Sequence, residues 1–149
     1  MKILFINGSP NKNGNTAGLA SVLLKDKEYA TLNLTDFTIG SYGQDLPNDG
    51  LDQVIGKMKE ADTIVIGSPL YWHNICGSVR NVLDRFYGKV AENGLSGRKL
   101  CFIFQGAAPE KWMLEAGEYT MKRFSALYGM SYLGMATNRK EAEELGKTI

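Results

Sequence analysis

The sequence is poor in cysteine, proline and histidine, and it has no excess of either charge. Its two cysteines, Cys76 and Cys101, stand far apart with no CxxC. Neither a disulfide framework nor a cysteine-rich zinc or iron–sulfur site is therefore expected. The one histidine, His73, has no neighbouring cysteine or carboxylate cluster with which to hold a metal. Seventeen Lys+Arg against sixteen Asp+Glu leave a net charge of +1. That balance weighs against the basic stripe of a nucleic-acid binder and against a membrane-surface helix. No apolar run approaches the ~20 residues needed to span a bilayer, and Ile3-Leu4-Phe5-Ile6 is too short for a secretory signal core. A soluble, cytoplasmic protein with no nucleic-acid or membrane partner is the expectation.

What is present is close to the globular average: 149 residues, 44% hydrophobic, with 17 glycines. This length suits one domain, residues 1–149, with a core of its own. The apolar pattern alternates between two periods. Short continuous runs bounded by Gly or Asn read as buried strands at Lys2–Asn7, Thr63–Ile66, Lys99–Phe104 and Tyr132–Ala136, with an alternating edge strand at Tyr29–Leu34. Spacings of three and four read as helices: Asn15–Lys25, the stripes Leu51-Val54-Ile55-Met58 and Val79-Val82-Leu83-Phe86, a helix marked by Met121, Phe124 and Tyr128, and Arg139–Gly146. Asp36–Gly50, rich in Gly, Asp and Asn, reads as a loop. Alternation of strand and helix predicts an α/β, doubly wound, five-stranded parallel sheet with helices on both faces.

In such a sheet, ligands bind beyond the carboxyl ends of the strands. Three loops there are unusual. Asn7-Gly8-Ser9-Pro10-Asn11-Lys12-Asn13-Gly14-Asn15-Thr16 leads from strand to helix, where orphan N–H groups and the helix dipole favour a phosphate. Ser9, Asn11, Asn15 and Thr16 add side-chain donors, and Lys12 is its one cation. The spacing fits neither GxxxxGK[ST] nor GxGxxG. An ordinary capped helix behind a Gly-rich turn would use the same residue types.

Gly67-Ser68-Pro69-Leu70-Tyr71-Trp72-His73 places two large aromatics just after a buried strand. A planar heteroaromatic ring against Tyr71 and Trp72 accounts for them, as does packing onto the next helix or onto a partner subunit. Ser78 reads as the N-cap of the helix that follows. Gln105-Gly106-Ala107-Ala108-Pro109 allows a close approach to a ring edge, or is a plain turn.

No catalytic machinery accompanies these loops. His73 lacks a triad, Cys101 lies in an apolar strand, and Cys76 has no adjacent base. Ser9 and Ser68 are outside any GxSxG elbow. Phosphate and ring sites without acid–base groups fit a cofactor that performs the reaction itself.

The first loop, together with Gly67-Ser68-Pro69-Leu70-Tyr71-Trp72 and Gly77-Ser78-Val79-Arg80-Asn81-Val82-Leu83-Asp84-Arg85-Phe86, resembles the NAD(P)H-dependent FMN reductases of the flavodoxin-like superfamily. The resemblance implies strand order 2-1-3-4-5, FMN as bound cofactor and NADPH or NADH as donor. It implies a phosphate held by Ser9, Asn11, Asn15 and Thr16. The isoalloxazine would lie against Pro69, Leu70, Tyr71 and Trp72, with Gly106 and Ala107 on its other side. It further implies a homodimer and a small acceptor: a quinone, a nitro or azo compound, or free flavin, reduced by a ping-pong mechanism. Two departures stand out. Related iron–sulfur flavoproteins carry a cysteine cluster after the second strand, where Thr38–Pro47 has none, and many FMN reductases place Arg where Asn11 or Lys12 stands. The alternative is a flavodoxin-type electron carrier, although such carriers are strongly acidic.

Overall fold

Strand residues alternate between two separate cores. In the computed structural model, which describes residues 1–149, β1 (Ile3–Asn7), β3 (Thr63–Tyr71) and β5 (Lys99–Gln105) form the centre of the sheet. Leu4, Ile6, Ile64, Ile66, Phe102 and Phe104 point to one face, whereas Ile3, Phe5, Val65, Cys101 and Ile103 point to the other. A period of two with both faces apolar is what makes these runs look continuously hydrophobic.

The first face is covered by α2 (Leu51–Glu60), α3 (Gly77–Arg85) and α4 (Lys111–Leu127), and the second by α1 (Asn15–Leu23) and α5 (Arg139–Gly146). The first core holds 26 buried residues and the second 11, so most of the hydrophobic stabilisation lies under α2, α3 and α4. The expected stripe Leu51, Val54, Ile55 and Met58 is buried on α2. So are Val79, Val82 and Leu83 on α3.

The parallel strands run β2-β1-β3-β5-β6, with β2 (Ala30–Asn33) and β6 (Ser131–Ala136) at the edges. This is the anticipated 2-1-3-4-5 order, with one addition. A two-residue strand, β4 (Asn74–Ile75), folds back antiparallel on β3.

That addition corrects the sequence reading, which ended the third strand at Ile66. Gly67, Ser68 and Pro69 look like a turn, but they pair in register with Ile103, Phe104 and Gln105 of β5. Tertiary pairing overrides the local signal, and Pro69 is tolerated near the strand end, where ladder donors matter least. The long segment before α2 is otherwise irregular, as expected. It holds a 3-10 turn at Leu34–Asp36 and one bridge between Thr38 and Asp49.

Candidate functional site

The loop after β1 is held by three successive side-chain-to-backbone turns. Asn7 Oδ1 accepts from the Ser9 N–H at 3.0 Å, Ser9 Oγ from the Asn11 N–H at 3.1 Å, and Asn11 Oδ1 from the Asn13 N–H at 3.1 Å. Short polar side chains two residues behind their donors make such turns readily. Asn7, fully buried, also donates from Nδ2 to Asn33 Oδ1 at 3.1 Å, which ties the loop to β2.

The start of α1 is not capped by a side chain. Its N-cap is Gly14, and neither Asn15 nor Thr16 serves in that role. The N–H groups of Lys12, Asn15, Thr16 and Ala17 find no acceptor in the chain. Several orphan donors at a helix N-terminus form an anion site of low charge.

Thr16 differs from its expected place as an open donor. It is fully buried, and its Oγ1 accepts from Gln105 Nε2 at 3.1 Å, linking α1 to the end of β5. Its backbone N–H is among the orphans. Lys12 is engaged by Asp36 at 2.5 Å, an exposed pair that leaves the loop with little free positive charge. Arg139, which sequence spacing did not bring forward, lines a cavity of about 330 Å³ with Asn15, Gln105, Gly106, Thr137 and Asn138. It brings a guanidinium from α5, more than a hundred residues downstream, which is why no local pattern signalled it, and this group is itself paired with Glu143 at 3.2 Å.

Ser78 does not cap α3; Cys76 stands at that N-cap. The Ser78 hydroxyl instead donates to the carbonyl of Gly8 at 2.7 Å, and the buried Cys76 thiol lies 3.6 Å from the same oxygen. Gly8 must be glycine here, because a Cβ would lie 2.4 Å from Val79 Cγ2 and 2.9 Å from the Gly67 carbonyl. Ser68 is equally structural. Its Oγ accepts from the Cys76 N–H and donates to the Pro69 carbonyl. Burial raises the Cys101 thiol to about 12, so it stays protonated and inert.

Tyr71 and Trp72 lie on a hairpin rather than in an open loop. Trp72 and His73 form the tip between β3 and β4, both with left-handed backbone, at φ +48° and +67°. Trp72 is 94% exposed and Tyr71 48%. A cavity of about 290 Å³ lies between this hairpin and the loop after β5, lined by Leu70, Trp72, His73, Gly106, Pro109 and Met113, with Ala107 and Ala108. Gly106 borders both this apolar cavity and the polar one beside Asn15. Two neighbouring regions result, a polar one beside Asn15 and one suited to a flat apolar ring. Pro69 is buried beneath them.

These residues fit a flavin mononucleotide. The orphan amides suit its phosphate, and the uncharged cavity beside small residues suits its ring. The chain has no group of three or more His, Cys, Asp or Glu placed to hold a metal ion. No helix is long and apolar enough to cross a membrane.

The strand order and the helices on both faces define a flavodoxin-like α/β protein. Residues 1–140 match the NADPH-dependent FMN reductases, and the chain belongs to this family of oxidoreductases. An iron–sulfur flavoprotein of Archaeoglobus fulgidus is 39% identical over 98 residues, 57% of this chain and 48% of that protein. The chain spans about half the length of the curated relatives it matches. The fold is shared with the Trp repressor binding protein from Bacillus subtilis (TM-score 0.80, 19% identity, 96% of this chain and 98% of that one). It is shared also with an FMN-dependent NADH-azoreductase from Bacillus anthracis in complex with FMN (TM-score 0.63, 15% identity, 99% and 95%).

Proposed function

We propose that the chain binds FMN along the carboxyl ends of β1, β3 and β5 and acts as an NAD(P)H-dependent reductase of a small acceptor: a quinone, a nitro or azo compound, or free flavin. The observation that carries this reading is the set of uncapped amides at Lys12 and Asn15–Ala17; Asn15 also lines the polar cavity that shares Gly106 with the apolar one. When bound, the flavin supplies the redox chemistry, and the chain contributes binding, orientation and exclusion of water.

In this reading Ser9 and Asn11 fix the loop that wraps the phosphate and keep a hydroxyl and an amide as donors. Asn15 and Thr16 offer their backbone N–H groups, and Arg139 adds charge from the side. Pro69, Leu70, Tyr71 and Trp72 flank the ring, with Gly106 and Ala107 opposite, where the small side chains let backbone approach its edge. Donor and acceptor use the same opening in turn, which gives ping-pong kinetics. A second copy of the chain over the exposed hairpin would complete the acceptor pocket, so the active species is a homodimer in the cytoplasm.

The test is spectroscopic. The purified protein should carry, or take up stoichiometrically, a flavin with visible absorption that NADH or NADPH bleaches anaerobically and a quinone restores. A bound flavin that neither nicotinamide reduces would replace this reading with that of an electron carrier.

A further inference from the structure

Asparagine followed by glycine is prone to lose its side-chain amide in water, because a residue without a Cβ leaves its backbone nitrogen open to attack the neighbouring side chain. The chain has three such steps, Asn7-Gly8, Asn13-Gly14 and Asn93-Gly94. Ring closure needs an asparagine side chain free to turn and a following N–H that is not held in a hydrogen bond. The fold grants both to one step only.

Asn7 is fully buried, with Oδ1 on the Ser9 N–H and Nδ2 on Asn33, and the Gly8 N–H donates to the Gly67 carbonyl at 2.8 Å. Asn93 is exposed, but its loop is pinned. The Gly94 N–H donates to the Ala91 carbonyl at 2.8 Å, and the Asn93 N–H donates to the Leu127 carbonyl at 3.0 Å. Asn13 is exposed and its side chain makes no hydrogen bond; only its N–H is held, by Asn11 Oδ1 at 3.1 Å. The Gly14 N–H reaches the Asn11 carbonyl at 3.4 Å, longer than the usual range of about 2.7–3.2 Å.

The position gives this chemistry a consequence. Gly14 is the N-cap of α1, so Asn13 directly precedes the unpaired N–H groups of Asn15, Thr16 and Ala17. A negative charge there is favoured by the helix dipole and repels an incoming anion. The adjacent cation, Lys12, is already paired with Asp36.

We propose that Asn13-Gly14 is a site of spontaneous deamidation, and that the carboxylate it produces takes over the free amides of α1 and lowers their affinity for an anion. The second half rests on the reading of those amides as a phosphate site; the first half does not. The Gly14 nitrogen gives its proton to solvent base and bonds to Asn13 Cγ, the Cγ–Nδ2 bond breaks, and ammonia leaves. Water then opens the cyclic imide at either carbonyl, giving aspartate or isoaspartate with no change in oxidation state. The protein thereby carries a clock at the mouth of its candidate site.

The conversion is read by mass after the purified protein has stood in mildly alkaline buffer, with peptic digestion in acid to prevent further reaction. Acid and isoaspartate should accumulate at Asn13 while Asn7 and Asn93 stay intact, and Asn13→Gln should stop the conversion. An intact Asn13, or an Asn93 that converts as fast, overturns the site. Asn13→Asp supplies one product at once. Without any ligand it should melt above the parent at neutral pH, and the gain should vanish in acid as the carboxylate protonates. No gain, or one that persists in acid, overturns the capping role. Asn13→Asp should also bind FMN at least about threefold more weakly and riboflavin, which lacks the phosphate, as the parent does. Unchanged FMN affinity, or an equal loss for both flavins, overturns the effect on the anion. If neither flavin binds the parent, the reductase reading fails by itself, and the mapping and melting experiments still decide the proposal.

Discussion

The hydroxyl of Ser78 donates a 2.7 Å hydrogen bond to the carbonyl of Gly8, joining the first turn of α3 to the end of β1. The contact forces backbone and helix so close that a Cβ on Gly8 would lie 2.4 Å from Val79 Cγ2. Gly8→Ala should therefore cost about 1–3 kcal/mol by overpacking, and Val79→Ala alone about 1–2 kcal/mol by leaving a void. The double variant should be less damaged than the sum by at least about 0.5 kcal/mol, since removing the valine methyls admits the new one. Denaturant unfolding of the four proteins measures this; strict additivity would show that the clash is taken up elsewhere.

The crossing also shows where sequence reasoning stops. Strands and helices were legible because each buries a stripe whose period survives in one dimension, as Leu51, Val54, Ile55 and Met58 do on α2. The positions of the candidate loops at the carboxyl ends of the strands followed from topology. What was not legible depends on partners distant in sequence. Pro69 belongs to β3 only because Gln105 lies beside it. Ser78 binds Gly8 instead of capping its own helix, and Arg139 of the last helix lines the same cavity as Asn15. The Trp72–His73 tip was hidden for a different reason, because its residues oppose the turn they make.

Thr16 joins both halves of the candidate site. Its hydroxyl accepts from Gln105 Nε2 at 3.1 Å, while its N–H is free at the helix start. Thr16→Val keeps the packing but leaves the Gln105 amide without its acceptor. FMN affinity should fall by about 1–2 kcal/mol, a five- to thirtyfold rise in dissociation constant. Thr16→Ser retains the hydroxyl and should bind nearly as the parent does. Fluorescence titration of FMN separates them; equal affinities for Val and Ser would remove the hydroxyl from the site.

Asp49 should dominate the acid limb of stability. Its carboxylate accepts from Arg85 Nη1 at 2.7 Å and from the N–H groups of Gly40 and Leu51 at 3.0 Å, with side chains only 14% and 16% exposed for Arg85 and Asp49. The Arg85 hydrogen bond, chiefly, lowers Asp49 from 3.8 to about 2. A group depressed on folding stabilises fully above its unfolded value, and that contribution disappears as the pH falls through its folded value. The parent should thus lose about 2 kcal/mol between pH ~5 and ~2. Asp49→Asn should be weaker than the parent by about that amount at pH 7 and equal to it near pH 2. Thermal unfolding across this range tests the claim, and a gap between the two proteins that does not change with pH would contradict it.

The hairpin tip sets stability against its proposed place beside the flavin ring. Trp72 and His73 are both left-handed, each at a cost of about 1–2 kcal/mol, whereas the tilted contact between the His73 and Trp112 rings, centroids 5.7 Å apart, returns about 0.5–1.5 kcal/mol. Replacing the pair with Asn-Gly relieves the backbone and deletes the ring contact, for a net gain of about 0.5–3.5 kcal/mol. Because Trp72 is 94% exposed, losing its side chain exposes no core. The Trp72→Asn/His73→Gly protein should therefore melt higher while its kcat/KM with a quinone acceptor falls. A lower melting temperature would mean that the ring contact outweighs the strain, and the tip would then be a stabilising element instead of one kept for what it binds.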